Sequence, residues 1–510
     1  MNNKSYTYII ITILLVFITL LISDRLFDIN DGVSMNARVG VVFDEPFESV
    51  DPASIKNLSQ AFVVRNLYAP ILDYDENAQI VSGIAENFRW IDNKLIISFG
   101  RKSITKSGYV VGAEDALISI KRLIILGKNT HGSIAEFVCD KKPLKSIYSD
   151  CEGLSVIDNQ LVIEVKKESQ KEQLMTLLSS VDYRIIPKIA LDLNSLKIVN
   201  FTETSGPFRF ESTQGNSTIL RSNDFNYLFT VQMPKYIELI QIKGKNVIDI
   251  FINNEIDIIP SFIPLTKSDI ERLNNSKISF NVDKTHNISV AMWVFSKKAQ
   301  IDFTPEMRFK ISNDLFNLLG DNANAYSEHT VQFFQDFGEG FLNTNQVDQI
   351  IKTRSSKFDK VKLTRRPKIA VRGFLNKNAD SFFSAYNEYE RVNIDTHPLN
   401  LSENERPDVF FGMADVAYKS TYSIMSYYIK YGVFGIFDIE ADSWLEKYSE
   451  LDDQSLKNEM INDLHFRALK NSACFPISVG PYLTITRNGW QSRMNKYFSI
   501  TRLWTLWHEK

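Results

Sequence analysis

The chain of 510 residues is 44% hydrophobic and 23% charged, a composition that can fill large cores in two or three folding units. Its 58 lysines and arginines nearly balance 61 aspartates and glutamates, giving a formal net charge of −3 at pH 7. This balance excludes a global electrostatic attraction to nucleic acid or to an anionic membrane surface.

The first 35 residues differ in character from the rest. Lys4 precedes an almost unbroken apolar run at residues 8–22, which ends at a polar Ser-Asp-Arg sequence. Such a run suits either a cleaved signal peptide or a membrane anchor, and its length does not separate the two. Because no Ala-x-Ala-like cleavage site follows, the sequence favours an uncleaved anchor with Lys4 in the cytoplasm. Residues from Asn36 onward are then expected outside the cytoplasm.

Strand-like and helix-like segments alternate through the remainder. Apolar periodicity and turn residues predict, in chain order, a strand at 38–43, a helix at 59–68 with Ser59 as a candidate N-cap, a strand at 95–99, a helix after Gly112, a hairpin of 208–211 and 218–221 around a Gly215-Asn216 turn, a helix at 247–253 with a strand at 256–259, and a strand at 288–295. This mixture predicts an α/β or α+β chain rather than a helical bundle or a β-sandwich.

The chain has three cysteines, Cys139, Cys151 and Cys474. The first two enclose a polar stretch with turn-forming residues, and in an oxidising compartment they could close a disulfide loop worth ~3 kcal/mol. Two unpaired thiols are the alternative, since sequence does not show that the sulfurs meet. Cys474 lies between Ala473 and Phe475 and is predicted to be a small core residue.

No catalytic or cofactor-binding motif is present in the sequence. There is no Gly-x-Ser-x-Gly, His-Glu-x-x-His, Gly-x-x-x-x-Gly-Lys or Gly-x-Gly-x-x-Gly pattern, and the six histidines lack metal-ligand spacing. We therefore expect no catalytic residues, no cofactor and no metal, and we expect that the protein is not an enzyme.

Nine short blocks, in order along the chain, resemble the family of bacterial solute-binding proteins of ABC importers that includes the oligopeptide- and dipeptide-binding proteins. They lie at residues 49–53, 64–72, 80–90, 97–116, 205–208, 223–227, 254–257, 307–311 and 408–415. The resemblance implies a two-lobed periplasmic-binding-protein fold with an extra inserted domain. It places a signal or anchor segment at 1–35, lobe I at 36–62, 186–285 and 479–510, the inserted domain at 63–185, and lobe II at 286–478.

The block that ends at Asp415 bears most directly on function. In the family's peptide binders an aspartate of this block holds the α-ammonium group of the ligand, so the resemblance implies Asp415 as the anchor. A structural aspartate that caps a local turn is the alternative. The positions implied to contact ligand are Asp415, Met413, Gly412, Leu58, Ser59, Gln60 and Trp293.

The resemblance implies a monomeric extracytoplasmic protein that captures a peptide-like solute between its lobes and presents it to an ABC permease. It would act in the periplasm or at the cell surface, tethered to the membrane by residues 8–22. No cysteine precedes Cys139, so the lipid attachment that many relatives use is absent. The alternative is a membrane-anchored accessory or sensor protein with the same fold and no transport role; retained ligand affinity would separate both from an inert scaffold.

Overall fold

The structure is a computed structural model of the 510-residue chain. It describes residues 36–41, 50–55, 57–126, 134–139, 144–168, 170–242, 244–319, 325–335, 339–354, 361–371, 376–394, 398, 401–415, 424–425, 428–429, 432–451 and 453–509. The predicted N-terminal anchor lies outside these residues. Within them, no helix is both long enough and apolar enough to cross a membrane.

The strands range from two to seven residues in length. They are β1 (Asn36–Val41), β2 (Leu72–Tyr74), β3 (Ile80–Ser82), β4 (Asn87–Ile91), β5 (Lys94–Ser98), β6 (Leu154–Ile157), β7 (Gln160–Glu164), β8 (Leu191–Asp192), β9 (Lys197–Ile198), β10 (Phe208–Gln214), β11 (Ser217–Ser222), β12 (Tyr236–Gln241), β13 (Ile258–Ile259), β14 (Phe280–Lys284), β15 (Ser289–Phe295), β16 (Glu328–His329), β17 (Lys368–Val371), β18 (Glu390–Asn393), β19 (Val409–Asp415), β20 (Cys474–Gly480), β21 (Leu483–Arg487), β22 (Trp490–Gln491) and β23 (Trp507–His508).

The helices are interspersed with the strands from end to end. They are α1 (Leu58–Leu67), α2 (Ala113–Leu126), α3 (Ala135–Val138), α4 (Gln170–Ser179), α5 (Val247–Ile252), α6 (Lys267–Asn275), α7 (Lys297–Asp302), α8 (Pro305–Leu319), α9 (Thr344–Arg354), α10 (Asn376–Ala385), α11 (Asp438–Glu450) and α12 (Gln454–Lys470), with short 3-10 turns at Pro52–Ser54, Lys188–Ala190 and Leu503–Thr505. The mixed α/β class predicted from the sequence is confirmed.

Three sheets organise the described residues. A seven-stranded sheet has the order β10-β11-β12-β1-β13-β21-β14, a six-stranded sheet the order β16-β20-β15-β19-β17-β18, and a four-stranded sheet the order β4-β5-β7-β6. In the first sheet β1 pairs in parallel with β12 along its whole length. These two paired strands lie about 200 residues apart in sequence. Because β21 belongs to the same sheet, N-terminal, middle and C-terminal segments of the chain form one folding unit.

Each large sheet is covered by apolar cores on both faces. On β15 the alternation of a strand sends Val290, Met292 and Val294 into one core of the six-stranded sheet and Trp293 and Phe295 into the other. The seven-stranded sheet likewise separates two cores, and the four-stranded sheet packs against α2 and α4 in its own core. The two-lobed architecture follows, because each large sheet can stabilise a lobe without the other.

Two short segments carry the chain between the two large sheets. Residues 285–288 join β14 to β15, and residues 481–482 join β20 to β21. These crossovers are hydrogen-bonded to each other: Thr285 N donates to Tyr482 O at 3.1 Å, and Tyr482 N donates to Thr285 Oγ1 at 2.9 Å. A small apolar cluster of Ile288, Tyr482 and Met494 packs beside them. The two lobes are therefore joined through a paired, locally packed connection.

A buried ion pair fastens the four-stranded-sheet unit to the loop that follows β1. Arg122 on α2 donates through Nη1 to Asp51 Oδ1 at 2.8 Å, through Nη2 to Asp51 Oδ2, and through Nε to Leu196 O at 2.7 Å. Asp51 also accepts a hydrogen bond from Ala53 N at 2.8 Å. This geometry accounts for the Asp51-Pro52-Ala53 sequence, whose aspartate both caps a turn and binds a guanidinium.

The four-stranded-sheet unit also contains a disulfide bond. Cys139 and Cys151 form a disulfide across a sequence separation of 12, as the sequence allowed, while Cys474 is buried and is not part of a disulfide. The Sγ of Cys474 donates to Trp293 O at 3.0 Å, in keeping with a core position. A disulfide typically persists in an oxidising compartment, which favours a location outside the cytoplasm.

Most predicted elements are present with shifted ends, and one predicted cap is wrong. The hairpin forms as β10 and β11, with Gly215 at φ +58° in its turn. Helix α1 begins at Leu58 with Asn57 as its N-cap, because the Asn57 side chain accepts from Gln60 N; Ser59, the predicted cap, lies inside the helix. Helix α1 also runs continuously across position 62/63, where the sequence placed a domain boundary, so the proposed division of the chain stays a prediction.

The Ser205-Gly206-Pro207-Phe208 block has a clear structural reason. A Cβ atom on Gly206 would lie 2.5 Å from the Leu67 carbonyl carbon, so a side chain is excluded at the end of α1. Ser205 Oγ accepts from Ala69 N at 2.9 Å, and Asn226 Nδ2 donates to Ser205 O at 2.8 Å. The block therefore holds together three segments that are far apart in sequence.

Candidate functional site

The end of β19 lies where the six-stranded sheet meets the crossovers. In the pairing register Asp415 is opposite Ser289, and Ser289 is opposite Gly480 on the other side of β15. Both crossovers leave the sheet at these last two residues. Asp415 is thus placed at the edge of one lobe beside the connection to the other lobe. The side chain of Asp415 lies outside the described residues.

On one face of β19 the apolar core ends before the last residues of the strand. Val409 and Phe411 belong to or pack against the core that contains Trp293, whereas Met413 is 38% exposed. Positions 411, 413 and 415 share one face of the strand by the two-residue alternation. Gly412 faces the opposite way, where an added Cβ would lie 3.3 Å from Val294 Cγ2. This face of β19 is therefore exposed at Met413.

Trp293, which the resemblance implied as a ligand contact, lies in an apolar core. The indole has no exposed surface and lies within a core with Phe295, Phe303 and Ile311. It contacts Phe411 edge-on at a centroid distance of 5.4 Å. Trp293 pairs with Phe411, two residues before the exposed Met413 of β19. It packs against the helices that cover this face of the sheet. Periodicity alone could not show which part of this apolar strand is covered.

The second predicted group begins α1 in the other lobe. Leu58 is 41% exposed, but Ser59 is buried and its Oγ donates to Asn57 Oδ1 at 2.7 Å. Gln60 is only 1% exposed. Of the three residues, Leu58 alone presents a substantial open surface, and the Ser59 hydroxyl is already used in the cap. The side chain of Gln60 lies in the interior, and the predicted ligand contact of this segment stays a prediction.

Two ion pairs connect the four-stranded-sheet unit to the lobe of the six-stranded sheet. Lys167 Nζ lies 3.2 Å from Glu450 Oε1, and Lys457 Nζ lies 3.6 Å from Glu172 Oε2. The residues at 167 and 172 belong to the four-stranded-sheet unit, and those at 450 and 457 belong to α11 and α12 beside the six-stranded sheet. Each side contributes one lysine and one glutamate. The sequence did not predict these pairs. Charged residues on a helix are usually exposed to solvent, and the sequence does not show which charged surfaces face each other in the folded protein.

The described residues hold no cluster of three or more His, Cys, Asp or Glu side chains that could bind a metal ion. The exposed end of β19 lies beside the paired crossovers that join the two lobes.

No family model and no curated protein matches the chain by sequence. Solved structures match over 93% of the chain. The Escherichia coli murein tripeptide binding protein MppA matches over 98% of its own length with a TM-score of 0.72 at 14% identity. A dipeptide binding protein from Pseudoalteromonas sp. SM9913, in complex with Met-Leu, matches over 100% of its length with a TM-score of 0.71 at 12% identity. NikA from Brucella suis, in complex with Fe(III)-EDTA, matches over 100% of its length with a TM-score of 0.70 at 13% identity.

The chain has the solute-binding protein fold. The matches cover 93% of this chain and 98% to 100% of the solved chains. The shared fold therefore includes both large sheets and the four-stranded-sheet unit. The neighbours differ in what their names say they bind, so the fold itself does not specify a ligand.

The unliganded open form of MppA also matches, over 97% of its own length with a TM-score of 0.63 at 14% identity.

Proposed function

We propose that the chain is an extracytoplasmic solute-binding protein of an ABC importer, which captures a peptide-like solute between its lobes and presents it to a permease. The observation that carries this proposal is the match of the complete hinge-linked architecture, over 93% of this chain, to proteins named for tripeptide and dipeptide binding. The disulfide supports a location in the periplasm or at the cell surface. The protein would act by binding and closure rather than by catalysis.

The proposed ligand contacts use the open strand end and the start of α1. Asp415 would hold the ligand's α-ammonium, Met413 would cover its apolar part, and Leu58 would contact it from the other lobe. Gly412 allows close approach of β19 to β15, where a Cβ would press on Val294. A carboxylate that accepts hydrogen bonds from an ammonium in a closed, water-poor cleft makes a strong charge-assisted contact.

Thermal unfolding in the presence of a library of short peptides tests the function. A ligand at a hundred times its Kd stabilises the folded state by ~2.7 kcal/mol, which raises the melting midpoint measurably. Stabilisation by peptides with a free amino terminus would support the importer function. If no peptide shifts the midpoint, the peptide-binding claim is wrong, and a different solute or an anchored accessory protein with the same fold becomes the better explanation.

Closure should depend on the pair between Lys457 and Glu172. Lys457→Glu places like charges across the gap, and we expect peptide Kd to rise about five-fold, or ~1 kcal/mol, because the partly exposed pair contributes little more than that. Isothermal titration calorimetry measures the change. Combining Lys457→Glu with Glu172→Lys restores opposite charges and should recover most of the affinity. A double variant as weak as the single one would show that the pair does not act in closure.

A further inference from the structure

Residues 492–497, which follow β22 and which we call the brace, pack against both crossovers. Met494 of the brace is buried in the apolar cluster with Ile288 of one crossover and Tyr482 of the other. The hydroxyl of Thr484, at the start of β21, also donates to Met494 Sδ at 3.1 Å. One brace side chain therefore packs with both of the connections that join the lobes.

The brace is fastened to the lobe of the seven-stranded sheet at the end of β14. Met494 N donates to Asp283 Oδ2 at 2.6 Å, and Lys496 Nζ lies 3.0 Å from Asp283 Oδ1. Lys496 Nζ also donates to Lys284 O at 2.8 Å, and His286 N donates to Lys496 O at 2.8 Å. The first crossover is therefore held by the brace as far as His286, so rotation of the lobes is expected to bend it beyond that residue.

The brace also contacts the four-stranded-sheet unit. Asn495 Nδ2 donates to Asp75 O at 2.7 Å. Asp75 follows β2, whose Leu72 is part of the core of that unit. Asn495 is buried, and its Oδ1 accepts a hydrogen bond from Tyr497 N at 2.9 Å. A single carboxamide therefore shapes the brace through its oxygen and holds the unit through its nitrogen.

The four-stranded-sheet unit reaches the other lobe as well. Its residues Lys167 and Glu172 form ion pairs with Glu450 and Lys457. The unit is thus in contact with the brace and also with the lobe of the six-stranded sheet. A change in its position relative to the crossovers alters how Glu172 meets Lys457, because the attraction in an ion pair falls with the distance between the charges.

We propose that Asn495 is a positioning residue for lobe closure. It holds the four-stranded-sheet unit at the crossovers, so that the other lobe meets Lys167 and Glu172 when it closes. Both ends of the carboxamide are already used, so Asn495 acts on the balance between open and closed forms without contacting the solute. The inference rests on the proposed function for the purpose of closure, whereas its test needs no solute.

Single-molecule energy transfer on the full chain, without solute, measures the ratio of closed to open molecules. Dyes are attached at Val231→Cys and Ile439→Cys, positions that are 92% and 85% exposed and lie in different lobes. Asn495→Ser retains an acceptor for the local turn but loses the donor to Asp75 O. We expect it to lower the ratio about two-fold to ten-fold, the factor that corresponds to one hydrogen bond.

A double-mutant cycle separates positioning from a general loss of stability. Lys457→Met removes the ion pair with Glu172 and should lower the ratio by itself. Combined with Asn495→Ser, it should lower the ratio by less than the product of the two single factors, since both changes act through one contact. Arg493→Met is the control, because Arg493 and its partner Glu76 are 69% and 63% exposed; it should leave the ratio unchanged.

Two results would overturn the proposal. One is a ratio in Asn495→Ser that equals or exceeds that of the wild type. The other is a double variant whose loss is the full product of the single losses, which would mean that Asn495 stabilises the fold without acting on the contact between the unit and the other lobe. Neither result depends on peptide binding, so a failure of the proposed function is detected separately, in the thermal screen.

Discussion

Replacing Asp415 by asparagine should weaken peptide binding about 30-fold to several thousand-fold, with little change in the stability of the free protein. Truncating one partner of a buried, hydrogen-bonded charge pair typically costs about 2–5 kcal/mol, much of it from the charge that is left unpaired. Here the ligand's ammonium would be left without its carboxylate in the closed cleft. Isothermal titration calorimetry with a peptide found in the thermal screen measures the loss.

Acetylating the amino terminus of the same peptide gives the matched chemical control. The wild type should bind the acetylated peptide weakly, whereas Asp415→Asn should bind free and acetylated peptides almost equally, since the two changes remove the same contact. Asp442→Asn, at an exposed position of α11 in the same lobe, should leave the affinity unchanged. If Asp415→Asn still prefers the free amino terminus by the wild-type factor, another residue holds the ammonium.

Arg122→Met should lower the free energy of unfolding by ~3–5 kcal/mol. The Arg122 side chain is 3% exposed and the Asp51 side chain 21%, so the variant leaves a largely buried carboxylate unpaired and also removes the bond to Leu196 O. Methionine preserves most of the apolar stem, which limits the loss of packing. Urea unfolding followed by tryptophan fluorescence measures the change in midpoint at constant slope.

The surface pair of Arg272 with Asp249 is the control for this change. Its side chains are 45% and 56% exposed, so Arg272→Met should cost less than ~1 kcal/mol. The double change Asp51→Asn with Arg122→Met should cost less than the sum of the single changes, because the partner no longer carries an unpaired charge. Additive losses would show that the two side chains do not act as a pair.

Local sequence patterns predicted the secondary-structure elements that depend on interactions between residues close together in the sequence. The hairpin of β10 and β11, the helix after Gly112 and the strand ending at Phe295 all follow from periodicity and turn residues over short windows. The ordered blocks predicted the two-lobed fold, which the neighbours at 12–14% identity confirm. The cysteine spacing allowed the disulfide but left its formation open.

Features that depend on long-range placement were not predictable in the same way. The parallel pairing of β1 with β12 and the bonds from Arg122 to Asp51 join residues that no local pattern connects. The position of Trp293 shows the same limit: an apolar strand indicates burial, but only the packed helices determine where its cover ends. The arginines around Asp73 come from separate segments, so their proximity becomes visible only after folding.

The bonded pair of crossovers limits how the lobes can move. A single connection would allow one lobe to swing and twist about a point, whereas two adjacent connections, joined at Thr285 and Tyr482, define a line. Rotation about that line preserves both sheets and both bonds, and other rotations strain at least one of them. The lobes should therefore behave as rigid bodies with essentially one angular coordinate, so that one distance measured across the mouth of the cleft reports the degree of closure.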